Sequence, residues 1–229
     1  MIVKRDELFK VVCCVRTGDA VGTGTFVCKD NIVYLVTATH VAVGTNPSSD
    51  VILSDINSKP FSVNLFSLMN GNVWQNHSIA DISIVQIDTS INQQLFTGRC
   101  FPYDHINLVN TCASRDDQLT VVGFPNGLGI QGFFSPLTFR SHPSSSLLTL
   151  SRADTRTLSD FFCLENPSVG GYSGGPVFDM GYEIVGCAEI TKEKTVLHGF
   201  VHGTMSDNTG GKIALISPSY FLKDLFKKP

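Results

Sequence analysis

Charge is scarce in this sequence: Asp, Glu, Lys and Arg make up 16% of 229 residues, against roughly a quarter of an average soluble chain. What charge there is sums to −3, so no basic footprint exists for a phosphate backbone, and nucleic acid is not an expected partner. Apolar runs are short. None approaches the roughly 20 residues that cross a bilayer, and no membrane partner is expected. The start, Met1 to Lys10, carries charges where a secretory signal has its apolar core, which predicts a cytoplasmic protein or a part excised from something longer. CxxC pairs are missing too. Seven cysteines (13, 14, 28, 100, 112, 163 and 187) lack metal-ligand spacing, so neither a zinc site nor any other metal or cofactor is expected. They read as reduced, mostly buried thiols.

Repeats, heptads and low-complexity tracts are also missing; what fills the chain is strand signal. Leu8–Val15, Gly24–Lys29 and Ile32–Thr37 read as three strands joined by Thr17-Gly18-Asp19 and Lys29-Asp30-Asn31. The third runs into Thr37-Ala38-Thr39-His40, placing His40 where a buried strand gives way to a short helical turn. Further strands are expected near 51–54 and 61–68, then at Ile82–Ile87 beside Asp81. An acidic residue at the mouth of such a strand needs a partner if buried. The polar stretch 105–117 marks a bridge between two halves, 1–109 and 110–229, and Leu119–Gly123 opens the second set of strands. Asp179-Met180-Gly181 is a hairpin signal between Val177-Phe178 and Tyr182–Ala188. Ser217–Lys228 is the one clear helix, with lysines at its negative end. The fold class is all-β, and the need to hide strand edges favours two closed or nearly closed barrels.

Chemistry concentrates in Gly170-Gly171-Tyr172-Ser173-Gly174-Gly175-Pro176. Four glycines free the backbone to loop tightly, aiming successive N–H groups into one concavity beside the Ser173 hydroxyl. That combination suits acyl transfer, with a nucleophile next to donors for a developing oxyanion. A glycine-rich turn with an idle serine is the alternative, so a base and an orienting group are required. His40 and Asp81 supply the types, in the order His…Asp…Ser. Each has a plainer reading, as a core histidine or a strand-end cap. Gly-x-Ser-x-Gly also fits a nucleophile elbow, but here the chain continues as sheet after Pro176, without the helix an elbow feeds.

Taken together, Thr37-Ala38-Thr39-His40, Ala80-Asp81-Ile82-Ser83 and Gly171-Tyr172-Ser173-Gly174-Gly175-Pro176 resemble the three signatures of trypsin-like serine peptidases. Val122-Gly123-Phe124-Pro125 and Ile213–Pro218 bring the likeness nearest the bacterial Deg/Htr-type branch, over about residues 20–222. The resemblance implies two antiparallel β-barrels of the chymotrypsin type with a C-terminal helix. It implies a serine endopeptidase acting on polypeptides through an acyl-enzyme: Ser173 as nucleophile, His40 as general base, Asp81 as its orienting acid. Gly171 and Ser173 N–H groups would form the oxyanion hole. By the same analogy the substrate pocket would draw its floor from Asn166-Pro167-Ser168 and its wall from Ala188, Glu189 and Ile190. Two departures stand out: Tyr172 occupies the place where activated digestive-type members carry an aspartate, and the sequence stops without the peptide-binding domain usual in Deg/Htr proteases. His77, His105, His142, His198 and His202 have no motif around them and read as structural or exposed. A catalytically silent binding member of the fold and a protease that processes a viral polyprotein are the alternatives.

Overall fold

The computed structural model describes residues 2–90 and 93–227. The chain begins with α1 (Arg5–Val11), then β1 (Val12–Thr17), β2 (Ala20–Lys29), β3 (Ile32–Thr37), α2 (Thr39–Val43), β4 (Asp50–Ser54) and β5 (Pro60–Asn64). It continues through α3 (Leu65–Met69), β6 (Gln75–Asn76), β7 (Ser83–Gln86) and β8 (Phe101–Pro102). These strands form one sheet in the order β5-β4-β1-β2-β3-β7-β6, with β8 pairing parallel to β2 and every other pair antiparallel.

The second half supplies β9 (Leu119–Gly123), β10 (Leu137–Ser141), β11 (Leu148–Ser151), β12 (Leu158–Leu164) and β13 (Pro176–Asp179). Then come β14 (Tyr182–Val185), β15 (Ala188–Thr191), β16 (Val196–Ser206), β17 (Lys212–Pro218) and α4 (Leu222–Leu225). The second sheet is antiparallel with the order β10-β9-β13-β16-β17-β12-β11, while β14 and β15 pair only with each other. The chain is thus all-β, with two sheets of the chymotrypsin type, antiparallel but for the β2–β8 pair, and a short C-terminal helix. Among the described residues no helix is long and apolar enough to cross a membrane.

Three large apolar clusters and a small fourth one around Phe161 hold this arrangement. Phe26, Leu35, Leu53 and Leu65 fill the first sheet's interior, and Val121, Phe162, Val177 and Ile216 fill the second's. A third joins the two: Val27 and Phe101 from the first sheet meet Phe124, Phe178 and Phe200 from the second, with the Phe101 and Phe178 rings 5.0 Å apart. Each fully buried phenylalanine contributes about 1.5–3 kcal/mol of transfer free energy, so this seam is a substantial contact and not a loose hinge.

Several local expectations are corrected. Residues 8–11 are helical because Asp6 and Glu7 sit in the first turn of α1 and Lys10 in the last, matching the helix dipole, while Leu8 and Val11 face inward. The expected strand 61–68 ends at Asn64, whose side chain accepts a hydrogen bond from the Ser67 N–H at 2.9 Å and starts α3. The turn at Asp179-Met180-Gly181 exists, but it does not close a hairpin. β13 pairs with β9 and β16, whereas β14 peels off to pair with β15. The terminal helix is shorter than expected, since β17 runs to Pro218; Lys228 lies outside the described residues. No disulfide joins the seven thiols. Cys13, Cys14 and Cys163 are buried, Cys28, Cys100 and Cys112 half-buried, and Cys187, expected in a strand, is exposed in the turn between β14 and β15.

Candidate active site

The end of β3 and the start of β7 lie side by side, with Thr37 paired to Ser83. This register sets Asp81, just before β7, against His40 in the first turn of α2. The Asp81 Oδ2 lies 2.8 Å from His40 Nδ1, and the His40 backbone N–H donates to Oδ1 at 3.1 Å. Asp81 is fully buried, where an unpaired carboxylate would be prohibitively costly. Burial alone would raise its pKa, but hydrogen bonds from His202 and His40 reverse the shift and hold the carboxyl well below its usual range. For His40, burial pulls the pKa down, and the hydrogen bond and charge of Asp81 outweigh it, so the net direction is up.

Ser173 comes from the other sheet, on the loop entering β13. Its carbonyl accepts from the Thr23 N–H of β2 at 2.8 Å, a bond that ties the loop to the first sheet. The Ser173 hydroxyl and His40 line the same cleft but are not hydrogen-bonded; Ser173 Oγ instead donates to the His202 carbonyl at 3.4 Å. Catalytic hydrogen bonds of unliganded enzymes are often long or misaligned and tighten with substrate.

The glycines here are required by contact as well as by torsion. Gly171 has φ +98°, and a Cβ on it would sit 2.2 Å from the Phe124 carbonyl oxygen; one on Gly174, at φ +79°, would sit 2.3 Å from the Thr23 oxygen. The backbone at Gly171 is held from both sides. The Asn126 N–H donates to the Gly170 carbonyl at 2.8 Å, fixing the peptide whose N–H belongs to Gly171. Thr23 Oγ1 donates to the Gly171 carbonyl at 2.7 Å and accepts the Phe124 N–H at 3.2 Å. Among the described residues, the N–H groups of Gly171 and Ser173 have no hydrogen-bond partner, which leaves both available to an incoming oxygen. Tyr172 points away from this site into the second sheet, buried and edge-on to Phe139 with centroids 5.1 Å apart.

The cleft between the sheets has a volume of about 610 Å³. Ser168, Val169 and Gly170 form one side, His202 to Met205 of β16 another, and Ser151, Ala153, Asp154 and Arg156 a third. A smaller recess of about 150 Å³, lined by Val21, Gly22, Val41 and Gly44, adjoins His40 and Ser173 on the opposite side. Of the pocket residues expected from sequence, Ser168 is in the cleft. Ala188, Glu189 and Ile190 are not: they lie exposed on β15, and Glu189 forms a salt bridge with Lys4 at 2.5 Å. The cause is the departure of β14 from β13, which carries the following residues away and leaves the wall to β16.

Of the two readings given to His202, the structure keeps the structural one and drops the exposed one: it is buried, Nδ1 lies 2.5 Å from Asp81 Oδ2, and its ring stands edge-on to His40 with centroids 5.8 Å apart. A register shift between Val201 and Gly203 turns it toward the seam. Arg152 and Thr23 were also missed, for they belong to no motif. His40, Asp81 and His202 offer ligand atoms within 4.8 Å of one another, the donor types of a zinc site. Both Nδ1 atoms, however, are engaged with the carboxylate, and the Arg152 guanidinium 3.1 Å from Asp81 opposes a cation there.

A deep cleft between two antiparallel sheets, with a His–Asp pair on one wall and a glycine-bound serine on the other, defines a chymotrypsin-type peptidase fold. The chain belongs to the trypsin-like peptidase family, whose domain profile matches residues 22–186. Solved structures with the same fold include the Rv3671c protease of M. tuberculosis in its inactive form (17% identity, TM-score 0.60, covering 96% of this chain and 88% of that one). They also include the HtrA-type protease AlgW with a tripeptide (15%, TM-score 0.58, 97% and 60%). A third is a glutamic acid-specific serine protease described as using a histidine triad in substrate binding (16%, TM-score 0.51, 93% and 95%). No curated protein sequence matches significantly.

Proposed function

We propose that this peptidase is a serine endopeptidase in which Ser173 attacks the substrate carbonyl, His40 accepts its proton and returns it to the leaving amine, and Asp81 holds the imidazole. The observation carrying the proposal is the His40 Nδ1–Asp81 contact of 2.8 Å, across one cleft from a serine with two unpaired N–H groups at its base. With Nδ1–H given to Asp81, His40 Nε2 is left as the base. The N–H groups of Gly171 and Ser173 receive the oxyanion of the tetrahedral intermediate, and loss of the amine leaves an acyl-enzyme that water hydrolyses. The halves 1–109 and 110–229 act as two units, each contributing part of the machinery. The reaction uses no cofactor.

Substrate preference follows from the cleft wall. Thr204 Oγ1 donates to the Ser168 carbonyl at 2.6 Å, so its contact with Ser168 Oγ at 2.9 Å is one in which the serine donates and keeps its lone pairs free. Ser168 thus presents acceptor lone pairs only, and with His202 beside it the wall suits a side chain that donates a hydrogen bond, such as glutamine, over an apolar one. A glutamic acid-specific serine protease of the same fold also uses histidines in substrate binding.

A second reading is supported by one contact: Ser173 Oγ rests on the His202 carbonyl and not on His40, as a catalytically silent binding protein would allow. A serine-directed fluorophosphonate separates the two. Covalent labelling that disappears in Ser173→Ala, together with turnover of peptides from a library, is expected. A folded protein that takes no label and cleaves nothing supports the silent reading.

A further inference from the structure

Asp81 accepts four hydrogen bonds, and only two come from His40. The others arrive from the second sheet: Arg152 Nη2 on Oδ1 at 3.1 Å and His202 Nδ1 on Oδ2 at 2.5 Å. Arg152 is 3% exposed, and burying a guanidinium there is tolerable only because four of its five N–H donors are engaged. Nη1 donates to the Ile79 carbonyl at 3.1 Å, and Nε and Nη2 donate to Asp154 at 3.0 and 2.6 Å. The fork thus grips the segment bearing Asp81 at two points. Its own loop is closed by Arg152 N–H to the Thr157 carbonyl at 2.9 Å, and that loop sends Ser151, Ala153, Asp154 and Arg156 to the cleft.

Resting on the triad reading above, we propose that Arg152 is a positioning residue for catalysis. It fixes the Asp81 carboxylate in the orientation that meets His40 and links it to the cleft-lining loop 151–157. A carboxylate on a short side chain rotates unless both oxygens are held. His40 and His202 hold Oδ2, whereas Oδ1 has only the His40 backbone N–H and Arg152. The guanidinium also moderates the negative field that Asp81 and Asp154 place on His40, and so limits the rise in its basicity. Asp81, Asp154, Arg152 and His202 are the charged and titratable groups facing the imidazole in this network.

The test uses the whole chain with Arg152→Gln and Arg152→Lys, read by circular dichroism, by the rate of fluorophosphonate labelling and by the pH dependence of that rate. Arg152→Gln is expected to fold, to label about 10²-fold more slowly and to shift the acid limb to higher pH by roughly half a unit or more. Arg152→Lys is expected to restore the limb, since charge returns, while labelling at least about tenfold below wild type, since the fork does not. A folded Arg152→Gln protein with a labelling rate within about threefold of wild type and an unmoved limb overturns the proposal. If the glutamine variant does not fold, the lysine variant decides: a rate within that same threefold overturns it. Wild-type labelling that persists in Ser173→Ala would instead bring down the triad reading itself.

Discussion

Replacing Thr23 with valine keeps the side chain's shape and removes a single hydroxyl, at a fully buried position between the two sheets. That hydroxyl donates to the Gly171 carbonyl at 2.7 Å and accepts the Phe124 N–H at 3.2 Å. Its loss strands two buried backbone groups, each costing about 1–3 kcal/mol if unrelieved. With partial relaxation, a destabilisation of about 2–4 kcal/mol is expected, lowering Tm by roughly 5–15 °C in a chain of this size. The kinetic consequence is separable from the thermal one. Gly171 carries one of the two N–H groups proposed for the oxyanion, and the Thr23 hydroxyl fixes the peptide on its far side. Misaligning one such donor costs up to about 10²–10³ in kcat, and a loosened one should cost about 10–10²-fold. Steady-state kinetics well below the melting transition would measure this, with KM little changed. Thr23→Ser, which keeps the hydroxyl, should recover most of the rate. A Thr23→Val protein that melts early yet turns over at the wild-type kcat would refute the link between this hydroxyl and the oxyanion loop.

Ser173→Ala, His40→Ala and Asp81→Asn should each reduce kcat by about 10⁴-fold, and pairs should lose little more than singles, because members of the proposed triad act as one unit; independent losses in a double-mutant comparison would contradict this. Because the His40 pKa is raised, the imidazole stays protonated to higher pH than a free histidine, and the acid limb of kcat/KM should lie above pH ~6.5. A limb centred well below that value would show that the Asp81 bond does not govern His40. Gly171→Ala should be poorly folded or nearly inactive, since its Cβ meets the Phe124 oxygen at 2.2 Å; an alanine variant with full turnover would rule out this backbone path. Tyr172 packs on Phe139 and carries no carboxylate for an inserted ammonium, while Asn126 and Thr23 fix the peptides flanking Gly171. Hydrolysis should therefore proceed equally with a blocking N-terminal fusion in place and after its removal. Activity that appears only on release would overturn this account of Tyr172.

The parts of the site that could be read in advance share one property: their chemistry is written locally. Thr-Ala-Thr-His40 at a strand end and Gly-Tyr-Ser173-Gly-Gly are recognisable within a few residues, and the alternation before and after them points to sheet. Thr23, Arg152 and His202 are different. Thr23 sits in an ordinary strand, and its role arises from Gly171, 148 residues away. Arg152 meets Asp81 across 71 residues and His202 meets it across 121, and only docking of the two sheets creates these contacts. The misplaced pocket wall has a similar origin. Asp179-Met180-Gly181 has good turn chemistry, but pairing is decided by which edges are free, and β13 already has β9 and β16 as neighbours.

The bonds that cross between the sheets run in both directions. Thr23, from the first, steadies the loop of Ser173, and Arg152 and His202, from the second, hold the acid beside His40. Each half therefore depends on its neighbour for the alignment of its own reactive group, and neither can be in working order before the seam has closed. Activity then acts as an internal gauge of docking: under mild denaturant or pressure, turnover should fade while both sheets still give a full strand signal. On the proposed mechanism, a partly opened molecule would carry all the reactive side chains and yet be inactive.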